Sequence, residues 1–140
     1  ALEALFAGAE EDDIRLYTVS GYRSYSTQKT IYARKVRNAG SEKAADKLVA
    51  RPGTSEHQLG LAVDIVDKDH PLLDESQADR PTQIWLMEHC WEYGFILRYP
   101  KNREATTGIT YEPWHYRYVG VDAAKYIMSN NITLEEFCAE

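Results

Sequence analysis

Alternating apolar positions mark four extended stretches. In residues 15–20, Leu16, Tyr17 and Val19 give a first strand, which Gly21 ends. Residues 61–66 carry the strongest pattern. Leu61, Val63 and Ile65 interleave with Ala62, Asp64 and Val66, so both faces are apolar apart from one carboxylate and the strand is expected to be buried. Residues 95–99 read as a third strand. Residues 111–118 are rich in aromatics, which favour strands, but Pro113 bars a central ladder position. Glu112 and His115 are therefore expected at a strand entrance, behind a stiff Pro-Trp corner.

Helical spacing fills the intervals. Residues 2–9 predict a short helix and 10–13 an acidic turn. Ser26 or Thr27 is expected to cap a helix reaching about residue 38, with Ile31, Ala33 and Val36 on its apolar face and Gly40 as its stop. Ser41 opens a second helix over 42–50, closed by Pro52. Pro81 starts a third, which continues through Trp85, Met87 and Trp91 to Gly94. Residues 122–130 form another, and Thr133-Leu134-Glu135-Glu136 has the pattern of a capping box. Residues 67–80 read as a polar loop bordering a cleft, and 100–107 as a hairpin-like connection. Helices among non-consecutive strands predict an α+β fold with a small, mainly antiparallel sheet flanked by helices.

At 140 residues the chain fits one domain. Hydrophobic residues make up 44% and charged ones 27%, an ordinary globular balance. The net charge of -6 argues against a phosphate-binding surface, so nucleic acid is not an expected partner. No stretch approaches the ~20 apolar residues of a membrane span. The chain starts at Ala1 with no signal peptide, and the expectation is a domain excised from a longer chain, monomeric, with its targeting segment elsewhere. Cys90 and Cys138 would pair in an exported protein and stay free in the cytosol, buried free cysteine being the simpler reading.

The carboxylate inside the second strand is the chemical clue. Buried in an apolar run, Asp64 needs a cation or several donors, and His57 is the nearest candidate partner. Gly60 removes a side chain where the loop enters the strand, which would allow a close approach to the backbone. With His115, the chain offers two imidazoles and one carboxylate as metal ligands. Three protein ligands are the open arrangement of a catalytic zinc site, and nitrogen donors favour zinc over calcium or magnesium. Glu112, beside them but not among them, would serve as a proton acceptor. His70 and His89 read as bystanders. His89 and Cys90 point about 100 degrees apart on a helix and do not make a nucleophile-base pair. Arg98 and Arg117 would either neutralise internal carboxylates or line the pocket.

Ser55-x-His57-x-x-Gly60-x-Ala62-x-Asp64, followed by Glu112-x-Trp114-His115, closely resembles the zinc D-alanyl-D-alanine carboxypeptidases of the VanY type. These belong to a group that includes lysostaphin-like endopeptidases and the hedgehog signalling domain. Ser20-Gly21-Tyr22-Arg23-Ser24 with Gln28, and Gly94 to Pro100, match in the same order, so the resemblance covers roughly residues 17–128. It implies the hedgehog/D-Ala-D-Ala peptidase fold. It also implies that Arg23 faces the scissile carbonyl, where a fixed guanidinium would stabilise developing charge, and that Ser55 and Gln28 hold the peptide.

The implied activity is a zinc-dependent D,D-carboxypeptidase that releases the terminal D-alanine from peptidoglycan stem peptides or precursors, in the cell envelope or, alternatively, the cytoplasm. An L,D-carboxypeptidase acting on tetrapeptide stems and a D,D-dipeptidase are alternatives within the class. Outside it stands a non-catalytic zinc domain that binds wall peptide or a protein partner.

Overall fold

A computed structural model describes residues 1–140. In chain order the regular elements are α1 (Leu2–Glu11), β1 (Leu16–Ser20), α2 (Tyr25–Ala39), α3 (Glu42–Ala45), β2 (Ala62–Asp67), α4 (Pro81–His89), β3 (Phe95–Leu97), α5 (Glu104–Thr107), β4 (His115–Tyr118), α6 (Val121–Asn130) and α7 (Leu134–Cys138). The four strands form one antiparallel sheet in the order β1-β2-β4-β3. This is the expected α+β architecture.

Strand alternation divides the side chains between two faces. Val63 and Ile65 of β2, with Phe95, Leu97 and Tyr116, pack against Leu5 and Ala9 of α1 and against Trp85 and Leu86 of α4. Gln83 ties α4 to this face, donating to the Ile65 carbonyl at 2.6 Å and accepting from the Tyr116 hydroxyl at 2.7 Å. A smaller core lies around Ile96, Ala124 and Ile127, with Leu134 and Phe137 packed on it, and seats α6 and α7. The register pairs Ser20 with Asp64 and Asp64 with His115, so one row of side chains crosses three strands on the face opposite the main core.

Several local expectations are corrected. Helix α2 starts at Tyr25, because Ser24 rather than Ser26 or Thr27 accepts the capping bond from Thr27 N. Helix α3 ends at Ala45 instead of residue 50. The carbonyls beyond it turn to tertiary partners: Lys47 O accepts from Thr110 N, and Ala50 O accepts from the Gln28 side chain. The helix begun by Pro81 tightens into a 3-10 turn over Cys90–Tyr93 before Gly94, whose φ is 87°. Strand β3 stops at Leu97, since Tyr99 O is taken by Glu112 N, and residues 100–107 contain the short helix α5 rather than a hairpin. Gly60 is required for its left-handed backbone (φ 71°). A Cβ there would meet nothing within 4 Å, so close approach is not the reason. The capping box at Thr133 and Glu136 forms with both of its bonds. No helix is long and apolar enough to cross a membrane.

Candidate active site

Asp64 lies in the middle of β2, and His115, the first residue of β4, sits opposite it on the same face. His57 comes from the 3-10 turn Glu56–Leu59 just before β2. One ligand atom from each of the three lies within 4.8 Å of the others, and all three residues are buried. Both imidazoles are oriented from behind. His57 Nδ1 donates to Gly21 O at 2.7 Å, which turns Nε2 toward Asp64 Oδ1 at 3.4 Å. His115 Nε2 donates to Glu56 Oε2 at 3.0 Å, leaving Nδ1 at 3.0 Å from the same Asp64 oxygen. Two ring nitrogens and one carboxylate oxygen thus converge, each ring tied on its far side, as metal-binding histidines usually are. This donor set suits zinc.

The electrostatics fit a cation site. Burial disfavours the charged Asp64 carboxylate, but hydrogen bonds from His115 and His57 outweigh it and hold the group at about 2. Burial likewise opposes charging His115, yet its bonds to Asp64 and Glu56 raise it to about 9 in the metal-free chain. A proton on His115 therefore stands where a metal would supply the positive charge.

Glu112 borders the same cavity. Its Oε2 is 3.8 Å from His115 Nδ1, and its amide donates to Tyr99 O at 3.0 Å. Burial pushes its carboxyl up to about 7, against the pull of His115. Arg23 projects from the turn after β1. Its Nε donates to Ser20 Oγ at 3.0 Å, Nη1 to Gln28 Oε1 at 3.2 Å, and Nη2 approaches Asp64 Oδ2 at 3.4 Å. Gln28, expected to touch a peptide, is fully buried and bridges Arg23 to Ala50 O, to which its Nε2 donates at 2.8 Å. Ser55 lines the cavity while its Oγ accepts from His57 N at 3.3 Å. The cavity has a volume of about 220 Å³, and its apolar wall includes Ile31, Leu48, Leu73, Ile109 and Trp114.

Glu56 is the participant that sequence reasoning missed. It holds His115, and it takes Arg98 at 2.5 Å and Arg117 at 2.8 Å. Arg98 and Arg117 therefore neutralise an internal carboxylate. Arg98 just after the apolar strand β3, and Arg117 between two tyrosines of β4, were a signal that such a carboxylate existed. His70 bonds Ser76, and His89 pairs with Glu92 at 2.7 Å and lies against Trp85; neither lines the cavity. Cys90 and Cys138 are free thiols, and burial pushes Cys90 up to about 12, far from a nucleophile's range.

A family model described as VanY, D-alanyl-D-alanine carboxypeptidase, matches residues 1–121. A D-alanyl-D-alanine carboxypeptidase of Enterococcus faecalis (strain ATCC 700802 / V583) is 41% identical over 145 residues, covering 97% of this chain and 52% of its own length. Among solved structures, the LdcB LD-carboxypeptidase superposes with a TM-score of 0.91 at 45% identity, over 99% of this chain and 64% of the other. The vancomycin-resistance D,D-pentapeptidase VanY, solved in complex with Zn(II), gives a TM-score of 0.86 at 40% identity, over 98% and 79%. The chain spans about half the length of the first curated relatives it matches.

Proposed function

The chain belongs to the VanY D-alanyl-D-alanine carboxypeptidase family, and from that premise we propose that it is a zinc-dependent D,D-carboxypeptidase domain acting on peptidoglycan stem peptides or their precursors. The observation that carries the reading is the convergence of His57, Asp64 and His115 beside a largely buried carboxylate, Glu112, that is not one of the three. Zinc held there supplies Lewis-acid polarisation of a carbonyl oxygen and acidification of water.

The chain's own groups do the rest. Glu112 takes the proton of the attacking water and passes it to the amide nitrogen of the departing D-alanine. In the metal-free chain burial raises this carboxyl to about 7, which favours release of the proton to the leaving group, while a bound cation would pull it down and favour the charged form that accepts one. Arg23, braced by Ser20 and Gln28, offers a fixed guanidinium to the negative charge that develops on the carbonyl oxygen. Ser55 lies on the cavity wall where a peptide would be positioned. Action on peptidoglycan stem peptides would put the domain in the cell envelope, and action on their precursors would be compatible with the cytoplasm.

An L,D-carboxypeptidase is the second reading, favoured by the 0.91 TM-score to the LdcB structure. Release of D-alanine from matched penta- and tetrapeptides in the presence of zinc separates the two. Preference for the pentapeptide supports D,D cleavage, preference for the tetrapeptide supports L,D cleavage, and release from neither refutes both. The non-catalytic alternative is disfavoured because a binding module needs neither Glu112 nor Arg23.

A further inference from the structure

Glu56 has more partners than the cleft alone explains. Its Oε2 accepts from His115 Nε2 at 3.0 Å, and its Oε1 accepts from Arg98 Nε at 2.5 Å and Arg117 Nη1 at 2.8 Å. Arg98 then presents its two terminal nitrogens to Glu135 of α7, at 2.9 and 2.5 Å, in a bidentate pair. Arg98 Cζ also lies 4.9 Å from the Tyr99 ring centre, and that ring is 5.0 Å from the His115 ring. A continuous path of charge-assisted hydrogen bonds therefore runs from the last helix to a metal-ligand candidate. Its far end lies beyond residue 121, where the match to the family model stops.

We propose that Glu56 is the positioning residue for His115, and that α7, acting through Glu135 and Arg98, sets how firmly His115 is presented to the metal. A histidine that offers one ring nitrogen to a metal is oriented by the partner of the other, and a carboxylate in that place also makes the ligating nitrogen more basic. Glu56 performs this only while its own rotamer is fixed. Arg117 fixes it from β4 and Arg98 from the turn after β3, and Arg98 is itself held by Glu135 on one side and by Tyr99 on the other. Without Glu135, both terminal nitrogens of Arg98 lose their acceptors and the guanidinium can swing away from Glu56. The inference rests on the reading of His57, Asp64 and His115 as metal ligands.

Zinc affinity, measured by competition with a chromophoric chelator, tests it on the unmodified chain, Glu56→Ala, Glu56→Gln and Glu135→Ala. The ring N–H proton of His115 is followed by NMR in the zinc-loaded proteins. Glu56→Ala is expected to weaken zinc binding roughly ten- to a hundredfold and to broaden the ring proton by exchange with water. Glu56→Gln, which keeps an acceptor, should recover part of that loss. Glu135→Ala removes a part-exposed side chain and should weaken binding on the order of two- to thirtyfold with the fold retained. The inference is overturned if Glu56→Ala, or Glu135→Ala should the first variant not fold, binds zinc as tightly as the unmodified chain with the His115 ring proton unchanged. An unmodified chain that binds no zinc overturns the metal reading and this inference with it.

Discussion

Glu112 Oε2 lies 3.8 Å from His115 Nδ1, and the His115 amide donates to the Glu112 carbonyl at 3.2 Å. The Pro-Trp corner between them thus holds a carboxylate beside a ligand nitrogen without making it a member of the ligand group. Glu112→Gln keeps the side chain's size and removes the base. We expect bound zinc to be unchanged while kcat falls by about 10²–10⁴. Metal analysis and D-alanine release measured on the same preparation check this, and near-full activity would contradict the role given to Glu112.

The metal-free site predicts how zinc binding depends on pH. His115 is raised to about 9 by its bonds to Asp64 and Glu56, so below that pH its ring carries a proton that zinc must displace. Apparent affinity should therefore rise with pH, by up to about tenfold per unit until the ring is neutral, and about one proton should be released per zinc bound from His115. Calorimetry in buffers of different ionisation enthalpy counts that proton. Binding that is flat in pH, with no proton released, would rule out this picture of the empty ring.

Arg23 and Gln28 should act as a unit. Arg23→Ala is expected to lower kcat by about 10²–10³, as loss of an oxyanion-stabilising donor does. Gln28→Ala, which frees Arg23 Nη1, should lower it by about tenfold, and the double variant should be scarcely worse than Arg23→Ala alone. A double-mutant cycle on kcat/KM reads the coupling. Losses that simply multiply would show instead that Gln28 acts on substrate independently of Arg23.

Thiol chemistry should distinguish the two cysteines. Cys90 is buried in the main core and its thiol is pushed up to about 12, whereas Cys138 is exposed on α7. A disulfide-exchange reagent should modify one thiol rapidly in the native chain and both after denaturation. Absence of any reactive thiol in the unreduced native chain would indicate that the two are paired.

What the sequence revealed follows from how local each signal is. The apolar run around Asp64, the Pro-Trp corner and the capping box at Thr133 are set by neighbouring residues, and each appears where the pattern placed it. The early end of α3 depends on Thr110 and Gln28, which claim the carbonyls of Lys47 and Ala50 from more than twenty residues away, so no local pattern announces it. The same holds within the site. Asp64 stood out because a carboxylate interrupts an apolar strand, His57 because it is the nearest imidazole before that strand, and His115 because it follows the Pro-Trp corner beside Glu112. Glu56 did not, since an acidic residue in a polar loop looks solvated until the register of β4 and the turn after β3 bring Arg117, Arg98 and His115 onto it.

The most direct test of the account is the dependence of D-alanine release on zinc in one preparation of the unmodified chain. We predict one zinc bound per chain, loss of release from acyl-D-alanyl-D-alanine peptide when a chelator strips the metal, and recovery when zinc is restored. Undiminished release from the stripped chain, or none from a chain carrying its full zinc, would contradict it.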